Sequence, residues 1–114
     1  TSVVEKFSLT AIAREQLESA RQSTSGRSAS TVFGGHEHTL RQTLIAIVVG
    51  HKLDDHANPG EATVHVIHGR VRLATAANSW EGSHGDLLVV PKETHSLEAL
   101  EDSVVLLTVA KAAH

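Results

Sequence analysis

Residues 41–49 read RQTLIAIVV and stop at Gly50; residues 63–67 read TVHVI, and His68-Gly69 leads into RVRLAT at 70–75. These short runs decide the fold class. β-branched and aliphatic residues fill them, and Gly, Pro, Asn and Asp separate them, the pattern of strands joined by turns. Further runs of the same kind follow around Trp80 and at 86–90, 95–100 and 104–109. From about Val32 to Ala110 the chain therefore reads as all-β, a sandwich or barrel. LIAIVV and VVLLTV are apolar at nearly every position, so those strands need cover on both faces. A facing sheet supplies one cover, and a helix or a second subunit supplies the other. No internal repeat is present.

Upstream of the strands, residues 9–22 read LTAIAREQLESARQ. Leu9, Ile12, Ala13, Leu17 and Ala20 recur at helical spacing, with charged residues between them, which predicts a short amphipathic helix. Ser8 or Thr10 is placed to cap its start. Gln22–Thr31, QSTSGRSAST, is rich in Ser and Thr and reads as a loop. The chain thus divides into a helix and linker over 1–31 and a β barrel over 32–114.

Composition narrows the function classes. Hydrophobic residues make up 40% of the 114, and the aromatics are Phe7, Phe33 and Trp80, so the core is aliphatic. Cysteine is absent, which excludes a disulfide framework and a thiolate metal site. A net charge of −3 gives no electrostatic basis for a nucleic-acid partner. No apolar run approaches the ~20 residues of a membrane-spanning helix. The first residues, TSVVEK, lack a basic-then-apolar signal pattern, and the expected location is cytoplasmic. Histidine is the unusual residue: nine in 114 is high for the side chain that most often binds metals and handles protons near neutral pH.

Two segments carry a resemblance. Gly50–Gly69 reads GHKLDDHANPGEATVHVIHG, and Gly85–His95 reads GDLLVVPKETH. In order and spacing they resemble the two motifs of the cupin superfamily, and the likeness covers roughly Leu44 to Val109. It implies a double-stranded β-helix, a jelly-roll barrel with a short N-terminal helix and with His56 and His95 at its mouth. A typical metal-binding cupin holds its ion with two His and one Glu from the first motif and one His from the second. Here His56 and His95 match. Asn58 stands in place of the second His, and Ala62 in place of the Glu, with Glu61 one position early. The Pro91-to-His95 spacing is one residue short, and Glu93 stands where Gly is common.

A divalent ion such as Zn²⁺, Fe²⁺, Mn²⁺ or Ni²⁺ needs at least three convergent N or O donors. His56 and His95 would need help from His51, His38, His36 or Glu61. His38 shares strand parity with Gln42, so a lumen-facing Gln42 would bring His38 and His36 with it. Glu61 could enter through a bulge after Asn58-Pro59-Gly60. Gln42, Asn58 and Trp80 are the candidates to line a substrate site. Arg70 and Arg72 alternate with Val71 and Leu73 and read as a polar outer face.

The expectation is a small cupin that binds a divalent metal, a small organic ligand or both in the barrel; a metal-dependent enzyme is one form this could take, and the sequence does not decide whether it is catalytic. The alternative is a non-catalytic ligand sensor with a degenerate metal site; a histidine-rich metal-handling protein is a third reading. A homodimer is expected, with residues before about 40 at the contact.

Overall fold

The structure is a computed structural model and describes residues 3–56 and 60–111, without the side chains of Asp55 and His56. Helix α1 spans Leu9–Gln22, the residues whose apolar spacing calls for it. Ser8 is extended, and its Oγ accepts a hydrogen bond from the Ala11 N–H at 3.2 Å, satisfying a first-turn amide. Arg21 lies in the last turn, where a cation suits the negative end of the helix.

The strands are β1 (Arg27–Phe33), β2 (Leu40–Ile47), β3 (Lys52–His56), β4 (Gly60–His68), β5 (Arg70–Ala74), β6 (Ser79–Ser83), β7 (Leu87–Val89), β8 (His95–Ala99) and β9 (Ser103–Lys111). They form two antiparallel sheets, one in the order β1-β2-β9-β4-β7 and one in the order β3-β8-β5-β6. The sheets face each other across an aliphatic core and are not closed into a barrel.

The doubly apolar runs now have both covers. On β2, Ile45 and Ile47 point between the sheets, while Leu44 and Ala46 point the other way, under α1. On β9, Val105 and Val109 join the inner core and Val104 joins the outer one. Ala13, Leu17 and Ala20 of the helix bury themselves on Leu44, Ala46 and Val104. The narrow apolar stripe of α1 is therefore satisfied within its own chain.

One expectation needs correction. Gln22–Thr31 is not all loop, because Arg27–Thr31 runs in β1 beside β2, and the division at residue 31 falls inside that strand. β1 is an edge strand: Ala29 and Thr31 are exposed, Ser28 and Ser30 are half-buried on the other side, and the backbone pairs with β2. The polar segment KLDDH likewise forms β3, on the edge of the other sheet. Neither edge strand shows the apolar run that marks a central one.

The β4–β5 turn demands glycine. Gly69 has φ +84°, and a Cβ there would come within 2.4 Å of both the Asp102 carbonyl and Ser103 Oγ. Ser103 is 1% exposed; its Oγ accepts from the Arg70 N–H at 3.0 Å and lies 2.7 Å from the Glu101 carbonyl, to which it donates.

Asp102, beside it, ties helix to sheet. Its Oδ1 accepts from the Val49 N–H at 3.0 Å, and its Oδ2 pairs with Arg21 at 3.1 Å. The Val49 amide, chiefly, holds this carboxyl below its usual range, against desolvation and with help from Arg21 and His68.

Candidate functional site

On β8, His95, Leu97 and Ala99 face the space between the sheets. His95 is 5% exposed and lines a cavity of about 20 Å³ whose other walls are aliphatic, among them Leu53, Leu73, Val90 and Leu107. That is room for one water molecule. His95 Nδ1 lies 2.9 Å from the Glu93 carbonyl. A carbonyl only accepts, so Nδ1 carries the proton in this contact. His56 is the cross-strand partner of His95 in the β3–β8 register. Its side chain and the whole of Asn58 lie outside the described residues.

The remaining donors put forward from the sequence sit elsewhere. His36 and His38 are exposed in the β1–β2 connection, where the His38 ring meets Phe33 edge-on at 5.0 Å. Gln42 does not line the lumen. It has the parity of Leu44 and Ala46, on the outer face, and its Nε2 donates to Thr108 Oγ1 at 3.3 Å. His51 is exposed before β3, with its ring against Gly26. Glu61 is exposed on the outer face. The β4–β9 register runs unbroken from Gly60 to Val66, so no bulge turns Glu61 inward, and Ala62 takes the inner position. Among the described residues no three His, Asp or Glu side chains converge as a metal site. The described donors therefore do not make up the shell that a resident divalent ion requires.

Trp80 belongs to a different feature. The free edges β6 and β7 face each other across a groove of about 240 Å³ lined by Leu73, Trp80, Leu87, Leu88, Val89 and Pro91. Trp80 is 45% exposed and sits opposite Leu73 in the β5–β6 register. Gly82 leaves space for Leu88 at the seam, since a Cβ there would lie 3.0 Å from Leu88 Cδ1. Leu73 lines both the groove and the cavity beside His95, so the seam abuts the interior. The sequence marks Trp80, but Leu87 and Val89 read only as part of a strand. Their exposure follows from β7 being an edge, which single-sequence periodicity does not reveal.

Outside, Arg70 and Arg72 lie on the polar face expected of them, within 3.6–3.9 Å of Glu81, Glu98 and Glu101. Half-exposed pairs of this kind contribute little to stability and leave no concentrated charge.

Solved structures share the architecture. A conserved protein of unknown function from Streptococcus pyogenes matches with a TM-score of 0.71 at 22% identity, over 81% of this chain and 80% of that one. An RmlC-like cupin from Desulfovibrio desulfuricans matches with a TM-score of 0.65 at 22% identity, over 74% of this chain and 81% of that one. The chain has the cupin fold. An HTH_3 family transcriptional regulator from Vibrio cholerae also matches, with a TM-score of 0.65 at 20% identity, over 76% of this chain and 52% of that one. No protein-family model and no curated protein matches the sequence. At these identities the likeness establishes the cupin fold, and the site is argued from this chain's own residues.

Proposed function

We propose that this chain is a non-catalytic cupin-fold binding module that takes a small neutral, apolar molecule in the seam between β6 and β7, beside Trp80. The observation that carries the reading is the groove itself: six apolar residues, one of them a half-exposed tryptophan, abutting the aliphatic interior through Leu73. Among the described residues, no acid, base or nucleophile lines it. A ligand there gains burial and aromatic contact and meets no group that would transform it. The likeness to part of a transcriptional regulator supports a sensing role over a chemical one.

Trp80 is the sole tryptophan, so its fluorescence reports directly on the groove. Titration with neutral cyclic alcohols is expected to give a saturable blue shift, abolished by Val89→Lys at the rim. Absence of a saturable shift up to the solubility limit overturns the reading.

A second reading has its own observation. The Nδ1–H of His95 is anchored on a carbonyl, as in metal-ligating imidazoles, and His56 stands opposite in register. His56 and His95 would then hold a divalent ion with donors from outside the described residues. Untagged protein incubated with Zn²⁺, Mn²⁺, Fe²⁺ and Ni²⁺ and then dialysed should retain about one ion per chain, lost in His95→Ala. A stoichiometry near zero rules this second reading out.

A further inference from the structure

A second hollow lies on the opposite side of the five-stranded sheet from the lumen, between α1 and the ends of β4 and β9. Its volume is about 410 Å³, within the range of pockets that hold small organic molecules. Its floor is aliphatic: Ala13 and Leu17 from the helix, Ile67 from β4 and Val104 from β9. Its polar lining includes Arg14, His68 and His84 and, among the described residues, no carboxylate.

Three local features set up this arrangement. The register of β4 against β9 slips between Val66 and His68, so Ile67 and His68 both serve the helix side. His84 is fixed by its Nδ1, 2.7 Å from the Ile67 carbonyl, which assigns that nitrogen the proton and leaves Nε2 as its other polar atom. Arg14 makes no ion pair among the described residues, whereas Arg21, Arg70 and Arg72 are each matched to carboxylates. The nearby Asp102 is occupied by Arg21 and the Val49 amide and does not line the hollow.

From this combination we infer that the hollow binds a small amphiphilic carboxylate, with its head on Arg14 between His68 and His84 and its hydrocarbon body along Leu17, Ile67 and Val104. A guanidinium presents a planar fork that matches a carboxylate, and an aliphatic floor selects an alkyl chain over a purely polar anion. The site is separate from the β6–β7 seam and does not depend on it.

The test is ¹⁵N-resolved NMR titration of the full chain with octanoate, with 1-octanol and acetate as controls. Octanoate is expected to perturb the amides of Thr10–Leu17, Ile67, His68 and His84 saturably. Octanol lacks the charge and acetate lacks the chain, and both should bind at least about tenfold more weakly. Arg14→Gln changes an exposed helix position and should leave the spectrum folded while weakening octanoate about tenfold. His84→Gln provides a second variant on a different element, with weakening in the same direction. The proposal fails if octanoate perturbs none of these amides, if octanol binds as well as octanoate, or if Arg14→Gln leaves the affinity unchanged. Perturbation confined to Trp80 and Leu87–Val89 would count against this site and for the seam.

Discussion

Replacing Ser103 by Ala is expected to cost this fold about 2 kcal/mol, a large effect for removing one oxygen. Ser103 is 1% exposed, and its hydroxyl takes the Arg70 N–H at 3.0 Å while donating to the Glu101 carbonyl at 2.7 Å. Losing the donated bond costs about 1 kcal/mol net. Depriving the Arg70 amide of its acceptor adds about 1–3 kcal/mol, and the half-exposed Arg70 side places the figure near the lower end. The Arg70 carbonyl keeps its bond from the Leu100 N–H at 2.8 Å, so it adds nothing. For a domain of this length, 2 kcal/mol corresponds to a fall in Tm of roughly 8 °C and, in urea, to a midpoint lower by about 1 M. Urea unfolding followed by circular dichroism and by Trp80 emission measures it. A loss below about 0.5 kcal/mol would refute the view that this hydroxyl organises the β4–β5 turn. Gly69→Ala, which adds a left-handed φ and a 2.4 Å approach to the Asp102 carbonyl, should be worse than Ser103→Ala and should remain destabilising in the double variant.

Three further outcomes follow from features away from that turn. Asp102 titrates below its usual range, so its contribution is fully present above the unfolded value near ~3.9 and is lost as pH falls through the lower folded value. The stability gap between wild type and Asp102→Asn, measured by urea unfolding, should be flat from about pH 5 to 7 and shrink below about pH 4; a gap unchanged at about pH 2 would contradict this. Leu17→Ala should cost about 2–4 kcal/mol and raise hydrogen exchange throughout α1, because Leu17 is 9% exposed between the helix and Leu44, Ala46 and Val104; exchange unchanged in α1 would argue against that docking. Because β1 leaves a free edge on the five-stranded sheet within the first forty residues, light scattering at micromolar concentration should give twice the 12.1 kDa chain mass, and a monomer mass would overturn the expected dimer.

Some of this was legible from the sequence alone, and the reasons differ by element. Leu9–Gln22 and its Ser8 cap could be read because apolar residues at helical spacing follow a capping hydroxyl, and α1 needs no distant information to start there. The turn at His68-Gly69 was legible from its glycine. β1 and β3 were hidden because edge strands carry polar side chains that composition reads as loop. The side occupied by Gln42 was hidden for the opposite reason. Leu44 and Ala46 are as apolar as Ile45 and Ile47, so β2 gives no sign of which alternate set meets the facing sheet and which meets α1. That single parity decides whether the residues upstream approach His95 or leave it. The seam was out of reach because it depends on two edges that are remote in pairing: among the described residues, β6 bonds β5 and β7 bonds β4.

The position of β9 has a consequence for how the protein is made. It is the middle strand of its sheet, bonded to β2 on one side and β4 on the other, yet it follows its four sheet neighbours in the chain. On the ribosome, β2 is made several seconds before Ser103–Lys111, at roughly 5–20 residues per second. Until then LIAIVV has neither its central neighbour nor a completed facing sheet. The nascent chain can pair β1 with β2 and β5 with β6 early, but without β9 nothing joins β2 to β4, and a ribosome stalled before Ser103 would hold an unfinished five-stranded sheet with apolar strands uncovered.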